Sequence, residues 1–418
     1  MRPPTRTGVP ALEPPAGAPS VSAPASAPTA AAQTAAQTAE EARLDRAAPQ
    51  EILRRSGFDA AAPRFARALA AAHSRAAAQR VVRRHGRALW QDAVGRAQGR
   101  VPAGGDLSRD DDRPLYWARL ALTRTLRAWQ PSFPLGEDGR AALLDRLERS
   151  SRGMDGPRLP AAGGVRRILL TGFDPFRLDA DVRRSNPSGA AALALDGVTI
   201  RTAAGPARVH ALVFPVRWDD FTRGTVERAL RPWFRPGPHR VDLFATVSQG
   251  RDGRFDLERF NGAWRGGHPD NAGVPVTGPV PVPYGHEPPQ WTTTGLPYQA
   301  IVAAGTGPFP VHDNTAVTEI PAGATVPVAG DSGPTPGSTA RAGGGGDYLS
   351  NEIAYRATLL RDELALPAPG GHVHTPVLQF GPGNTDPGTG AVTDPGFLAD
   401  RLAITAQLRA ILIAAAGG

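Results

Sequence analysis

The sequence predicts an α/β fold whose sheet carries helices on both faces, behind an all-helical N-terminal region. From residue 165 onward, short apolar runs with strand character alternate with capped or amphipathic helical segments, which is the pattern of strand–helix–strand units. Between residues 38 and 155 the apolar residues recur at helical spacing instead. The predicted organisation is a disordered Pro/Ala-rich tail over 1–37, a helical region over 38–155 and an α/β domain over 165–418.

The composition excludes several classes of function. The 418 residues contain no cysteine, so disulfides, thiolate metal sites and a cysteine nucleophile are excluded, while the redox compartment is left undecided. The net charge is +8, and all of the cationic side chains are arginines. These arginines are scattered among acidic residues without an aromatic-interleaved stripe, which indicates a solvated basic surface rather than a nucleic-acid partner. No apolar run is long enough to span a bilayer, so no membrane partner is expected.

The first forty residues are rich in Pro, Ala, Ser and Thr. They offer too little apolar surface to offset the entropy of ordering, which predicts a disordered tail or linker. They also lack the continuous apolar segment of a signal peptide. A mis-assigned start and a cell-wall-type spacer remain as alternatives.

The helical region is predicted to form four or so amphipathic helices that pack on each other or on the next domain. It opens with a threonine cap followed by acidic residues at Thr38–Glu41. Its tryptophans, Trp90, Trp117 and Trp129, are assigned to the core rather than to a ligand site. The apolar positions that predict the helices are Phe65, Leu69, Val81, Val82, Leu89, Leu115, Leu120, Leu122 and Leu126. No catalytic constellation is visible here.

The α/β region is predicted to alternate strands and helices along the chain. Strands are expected over 165–173, 207–216, 240–250 and 371–380, and helices over 185–197, 218–234, 350–364 and 395–416. The first of these helices has Ser185 or Asn186 as its cap, Pro187 in its first position and Gly197 as its stop. Ligands of such sheets bind in loops beyond the carboxyl ends of the strands, which here are 171–176, 248–259 and 374–376.

A glycine-rich loop, Gly343–Gly346, leads into the predicted helix that contains Ser350. Backbone N–H groups at a helix start are unpaired and can hold an anion, so a nucleophile at this position would have oxyanion donors beside it. Serine is also a preferred helix cap. From the residues alone, nucleophile and cap both stay open.

Eight motifs between Val165 and the C-terminus resemble those of pyroglutamyl peptidase I, the pyrrolidone-carboxylate peptidases, and occur in the same order. They are TGFDPF, NPSGAAALALDG, FPV, SQGRDGRFDLERFN, PDNAG, TTGLPYQAI, GDYLSN and HVHTP. The resemblance covers about residues 165 to 418. It implies a three-layer α/β/α sandwich with a central, mostly parallel or mixed sheet, an enzyme that removes N-terminal pyroglutamyl residues without a cofactor, and a cytoplasmic location, with export as the alternative.

The resemblance also implies a catalytic set. Ser350 stands where the family has its cysteine nucleophile, His374 matches the base, and Glu258 matches the carboxylate that orients the base. Ser, His and Glu form a chemically competent set. A cysteine beside histidine can rest as a thiolate paired with imidazolium, whereas a serine hydroxyl must lose its proton during the attack. Asp347, where the family usually has threonine, brings a carboxylate near the expected oxyanion, or caps the helix instead. Without the resemblance, His374 is equally well a core or surface histidine, and Glu258 a surface charge.

Phe173 and Phe176 match the aromatics that enclose the lactam ring in the family, and Gln249 matches a position near the lactam amide. His372 and His374 lie two apart on a predicted strand and so share one face. An H-x-H pair can bind zinc, but no third ligand stands at an informative spacing, so no metal is expected.

The leading functional hypothesis is hydrolysis of a pyroglutamyl or related amide bond in a small peptide, through an acyl-enzyme on Ser350. Two rivals remain. One is a catalytically silent relative that binds pyroglutamyl-like or peptide ligands, and the other is a basic interaction protein whose helical half binds a partner or nucleic acid.

Overall fold

The computed structural model describes residues 37–155, 159 and 163–417. The predicted disordered tail therefore lies outside the described residues, apart from Gln37. The described N-terminal region contains a 3-10 helix at Arg43–Asp45 and six α-helices, against the predicted four or so: α1 (Ala39–Ala42), α2 (Ala47–Ser56), α3 (Ala61–Ala70), α4 (Arg75–Ala97), α5 (Arg113–Ala128) and α6 (Gly136–Ser150).

The N-terminal helices form where the sequence predicts caps and apolar spacing. Thr38 and Glu41 form a reciprocal capping box at α1, which satisfies two backbone donors that a helix start leaves open. Trp90 and Trp117 are fully buried, so their assignment to the core is confirmed. Trp129 is half-buried at the end of α5 and contacts Phe133.

The central sheet has seven strands in the order β10-β5-β14-β4-β1-β3-β2. Its pairs are parallel except β14–β5 and β2–β3, which are antiparallel. The strands are β1 (Arg166–Phe173), β2 (Thr199–Thr202), β3 (Gly205–Phe214), β4 (Leu243–Gln249), β5 (Phe255–Glu258), β10 (Val311–Asn314) and β14 (Gly370–Thr375). The fold class is the predicted one: a mixed, mostly parallel sheet behind a helical region.

Both faces of the sheet are apolar. Consecutive residues of a strand point to opposite sides, and the central strands contain runs of consecutive apolar residues. In β1, Ile168 and Leu170 join the core shared with the N-terminal helices. Leu169 joins the separate core on the opposite face. Because apolar side chains of β1 lie on both faces of the sheet, each face needs a helical layer to cover it.

The remaining helices supply those two layers. On the face of Ile168 lie α7 (Pro187–Leu195), α10 (Tyr298–Ala303) and α12 (Pro395–Gly417), and on the face of Leu169 lie α8 (Trp218–Thr222), α9 (Thr225–Phe234) and α11 (Leu349–Glu363). The start of α7 is as predicted, because the Asn186 side chain accepts a hydrogen bond from Ser188 N at 3.1 Å and Pro187 opens the helix. None of the helices in the described part of the chain is long and apolar enough to cross a bilayer.

Two predicted elements differ from the structure, and three strands of the central sheet lie where no strand is predicted. The helix predicted over 218–234 is two helices, α8 and α9, because Gly224 adopts a φ of 74° between them. The strand predicted over 371–380 ends at Thr375, since Pro376 has no N–H to donate to a ladder. Strands β2, β5 and β10, which complete the sheet, were predicted as loops or not at all.

Shorter strands lie outside the central sheet. Two antiparallel pairs join β6 (Phe260–Gly262) to β9 (Trp291–Thr293) and β7 (Trp264–Gly266) to β8 (Thr277–Pro279). Ahead of the glycine-rich loop, β11 (Val317–Ile320), β12 (Val328–Gly330) and β13 (Thr339–Ala342) form a three-stranded antiparallel sheet.

Buried ion pairs attach the N-terminal helices to the end of β1. Arg119 Nη1 lies 2.8 Å from Asp174 Oδ1, and Arg152 Nη1 lies 2.7 Å from Asp174 Oδ2. All three side chains are buried, and removing one partner of such a pair leaves an uncompensated buried charge. Because Asp174 follows Phe173 directly, the helical region fixes the loop that leaves β1.

Candidate functional site

The carboxyl ends of β1, β4 and β14 and the start of α11 enclose a pocket of about 310 Å³. This is the edge of the sheet at which the sequence predicts ligand binding. Five of the six predicted site residues line the pocket: Phe173, Phe176, Gln249, Ser350 and His374. The sixth, Glu258, lies behind His374 on the neighbouring strand β5.

Glu258 and His374 are in direct contact. Glu258 Oε1 lies 2.7 Å from His374 Nδ1, and the carboxylate is completely buried. The amide of Asn314, on β10, donates to Glu258 Oε2 at 2.7 Å. Both carboxylate oxygens are therefore held, and Glu258 is not the surface charge that the sequence alone allows.

This contact sets the tautomer of His374. A carboxylate only accepts hydrogen bonds, so Nδ1 carries the proton and donates it to Glu258, which leaves Nε2 as an acceptor. Two glycines enclose the ring. A Cβ atom on Gly250 would lie 2.6 Å from His374 Cβ, and one on Gly345 would lie 2.9 Å from His374 Cε1. The imidazole therefore has little freedom to turn away from Glu258.

Ser350 is the second residue of α11, and Tyr348 occupies the cap position. The Ser350 hydroxyl donates to the carbonyl oxygen of Gly345 at 3.1 Å. Ser350 and His374 line the same pocket, and in this conformation the glycine-rich loop, rather than His374, supplies the acceptor for the Ser350 hydroxyl. The helix-cap alternative is wrong, since the Ser350 hydroxyl donates to a carbonyl rather than accepting from the helix backbone.

The first turn of α11 presents open donors to the pocket. Among the described residues, the backbone N–H groups of Leu349, Ser350 and Asn351 have no acceptor, and the first helical bond runs from Glu352 N to Tyr348 O. The Asp347 carboxylate lies 3.3 Å from His268 Nε2 and packs against Gly266, and it does not line the pocket. Negative charge developing on a ligand beside Ser350 would meet these N–H groups rather than Asp347.

The two phenylalanines differ in their exposure. Phe173 is 3% exposed and stacks on Phe221 with ring centroids 6.1 Å apart, so it offers little surface to the pocket. Phe176 is half-buried beside Tyr348 and offers more of its ring. Gln249 Oε1 accepts from Leu378 N at 3.4 Å, which turns the amide NH₂ group toward other acceptors.

His372 lies beneath His374 and is held by hydroxyl groups. Its Nδ1 lies 2.8 Å from Thr246 Oγ1 and its Nε2 lies 2.8 Å from Ser248 Oγ. Burial, and then the neighbouring His374, hold the pKa of His372 well below its usual value. Both ring nitrogens are engaged, so His372 has none left for a metal; no group of three or more His, Cys, Asp or Glu that could hold one occurs in the described part of the chain.

Sequence reasoning missed the residues that hold Glu258. Asn314 donates to Glu258 and also to the Gly344 carbonyl at 3.1 Å. Arg251 lies 2.7 Å from Asp256 and 3.8 Å from Glu258. Asn314 stands 56 positions after Glu258 on a strand that the sequence did not predict, so no local signal could have identified it.

Comparison with solved structures gives matches of partial coverage. Pyroglutamyl peptidase I from Bacillus amyloliquefaciens is 22% identical, with a TM-score of 0.39, over 60% of this chain and 98% of that structure. A mutant pyrrolidone carboxyl peptidase from Pyrococcus furiosus is 21% identical, also with a TM-score of 0.39, over 60% of this chain and 97% of that structure.

Comparison with protein families matches both halves of the chain. Residues 22–148 match the PA0049 N-terminal domain, and residues 167–282 and 308–379 match the PA0049 C-terminal domain. The uncharacterized protein PA0049 of Pseudomonas aeruginosa is 37% identical over 487 aligned positions, which span 90% of this chain and 88% of the relative. Since the likeness extends over the helical region as well as the α/β region, the chain belongs to the PA0049 family.

Proposed function

We propose that this protein is a peptidase-like hydrolase that removes N-terminal pyroglutamyl or related residues through an acyl-enzyme on Ser350. The observation that carries the proposal is the 2.7 Å contact between Glu258 and His374, on the wall of a pocket that Ser350 also lines. The ordered motifs of pyroglutamyl peptidase I in the sequence support the same assignment.

In this proposal, Ser350, His374, Glu258 and the start of α11 supply the groups that acyl transfer requires. After a rotation about the Ser350 side-chain bond, the hydroxyl leaves the Gly345 carbonyl and faces the pocket. Its oxygen attacks the substrate carbonyl carbon while its proton passes to His374 Nε2, and Glu258 stabilises the resulting imidazolium. The N–H groups at the start of α11 hold the oxyanion.

The same groups complete the turnover. His374 returns the proton to the leaving amine, the C–N bond breaks, and an ester on Ser350 remains. Water then attacks this ester with His374 as the base, and the acid is released. Pyroglutamate has no free amino group, so its lactam requires apolar walls and amide-type partners, which Phe176 and Gln249 supply in this proposal.

A second candidate is a binding protein that retains the site without turnover. The observation that favours it is the hydrogen bond from Ser350 to Gly345, which holds the hydroxyl in a non-attacking position. A site shaped for a thiolate can place its base poorly for a hydroxyl.

Release of the anilide from a pyroglutamyl-anilide substrate tests the two candidates. Wild type, Ser350→Ala and Ser350→Cys are compared under one buffer condition. The proposal expects turnover by wild type and its loss in Ser350→Ala, which keeps only the residual catalysis of binding and backbone donors. Turnover by Ser350→Cys alone would identify a silenced peptidase, because His374 can generate a thiolate before attack. Absence of turnover in all three variants would refute the proposal.

A further inference from the structure

A second cavity adjoins the pocket of Ser350. It has a volume of about 590 Å³ and reaches from the β1–α7 loop to the segment after β14. Arg177, Gly250 and Arg251 line both cavities, so the two cavities lie side by side and share these residues. If the smaller pocket holds the acyl group, as the proposed function requires, the larger cavity is where the leaving part of the substrate lies.

The second cavity contains positive charge that the protein does not neutralise. Arg177 and Arg184 both line it, and no hydrogen bond or ion pair joins either guanidinium to another of the described residues. The Arg184 Nε atom is buried without a partner. Burial, and then the charge of Arg177, lower the pKa of Arg184, and the charge of Asp181 opposes them only in part.

Arg177 is exposed at the cavity and Arg184 is half-buried, while the other charged groups of the cavity either have partners or are exposed. The Asp181 carboxylate is bound by Arg183 at 2.8 Å. Arg251 contacts Asp256 at 2.7 Å and supports Glu258, as described above. Asp252 is exposed to solvent, and an exposed carboxylate offsets little of the charge.

The backbone of Arg177 adds an independent observation. Its φ is 58°, a left-handed conformation that residues other than glycine rarely adopt. The turn is held in place because the Arg177 carbonyl accepts from both Ala180 N and Asp181 N. Such conformations persist where the surroundings impose them and cluster at ligand sites. Here the conformation places an arginine on the wall between the two cavities.

We propose that Arg177 and Arg184 form a carboxylate-binding subsite for the leaving part of the substrate, so that the protein prefers pyroglutamyl peptides with an anionic second residue. The carboxylate is either the C-terminal group of a dipeptide or an acidic side chain. This inference rests on the proposed function for the identity of the pyroglutamyl end. Guanidinium groups bind carboxylates with charge-assisted, often bidentate hydrogen bonds.

Calorimetric binding to the Ser350→Ala protein tests this subsite without turnover. The probes are pyroglutamyl-glutamine amide, which is neutral, pyroglutamyl-glutamate amide, which has only a side-chain carboxylate, and pyroglutamyl-glutamine with a free terminal carboxylate. We expect at least one anionic probe to bind about tenfold more tightly than the neutral probe, and which one does so identifies the source of the carboxylate. Added salt should reduce this preference.

Arginine variants assign the preference to the subsite. Adding Arg177→Gln or Arg184→Gln to Ser350→Ala should remove most of the tenfold difference, while Arg184→Lys should retain part of it. Arg67→Gln is the matched control, because it removes one exposed arginine on α3 and lines neither cavity. Equal binding of all three probes, no binding of any, or a preference that survives both Gln variants overturns the subsite.

The outcome for the subsite can be separated from the outcome for the proposed function. Anilide release by wild type with equal binding of the three probes would leave the function standing and remove the subsite. Preferential binding through Arg177 and Arg184 without any anilide release would leave the subsite standing and remove the function.

Discussion

Replacement of Glu258 by glutamine probes the contact on which the proposed mechanism depends. The side chain keeps its shape but loses its charge and one acceptor oxygen. If the new NH₂ group faces His374 Nδ1, that nitrogen must become an acceptor, and the proton moves to Nε2, where it blocks proton transfer from Ser350. If the NH₂ group faces Asn314 instead, two donors meet where a 2.7 Å hydrogen bond stood, at a cost of about 1–3 kcal/mol.

Both orientations also remove the charge that stabilises the imidazolium. Two unit charges about 4 Å apart attract each other by about 4 kcal/mol at an effective dielectric constant of about 20. That loss corresponds to a rate reduction of about 10³-fold, and the wrong tautomer in a comparable triad lowers kcat about 10⁴-fold. We therefore expect Glu258→Gln to lower kcat for pyroglutamyl-anilide by about 10³- to 10⁴-fold.

The control for this experiment is Asp313→Asn on the adjacent strand β10. It makes the same change of one charge, but Asp313 is an exposed partner of Arg259, and surface pairs contribute little. Its activity should match wild type. A Glu258→Gln protein that melts normally and retains kcat within about tenfold of wild type would refute the assignment of Glu258 as the residue that orients the base.

Two further substitutions test the structure around the site. Gly345→Ala places a Cβ atom 2.9 Å from His374 Cε1, so we expect anilide release to fall by about 100-fold. The control is the exposed Gly285→Ala, whose Cβ meets no atom within 4 Å and which should leave anilide release unchanged. Equal activities of the two variants would show that the His374 ring has room to move. Burial, and then the charge of Asp111, raise the pKa of Asp112 from 3.8 to about 7, so the folded state binds the extra proton and stability falls as pH rises between about 4 and 7. Between about pH 5 and about pH 8, the melting temperature of Asp112→Asn should fall less than that of wild type. An equal fall in both proteins would contradict the assignment of this pH dependence to Asp112.

Much of the fold follows from local sequence. Asn186 and Pro187 begin α7 as predicted, because capping depends on a few consecutive residues. The alternation of Ile168, Leu169 and Leu170 between two cores likewise follows from the strand period of two. The length of α12 and the burial of Trp90 and Trp117 are also contained in the apolar pattern. Strand β5 has a mixed composition that gives no such pattern, so it was not predicted.

The candidate site, like the fold, is predictable from the sequence only in its local parts. Its glycine-rich loop, the helix after it and the strand ends around the pocket are predictable, because each depends on residues close together in the chain. Only the tertiary structure places Glu258 against His374, since that contact requires β5 to pair antiparallel with β14, and only it recruits Asn314 to the second carboxylate oxygen. The tertiary structure also decides that the Ser350 hydroxyl donates to the Gly345 carbonyl. The nearest acceptor depends on how the glycine-rich loop folds back over the start of α11, and no residue type encodes the course of that loop.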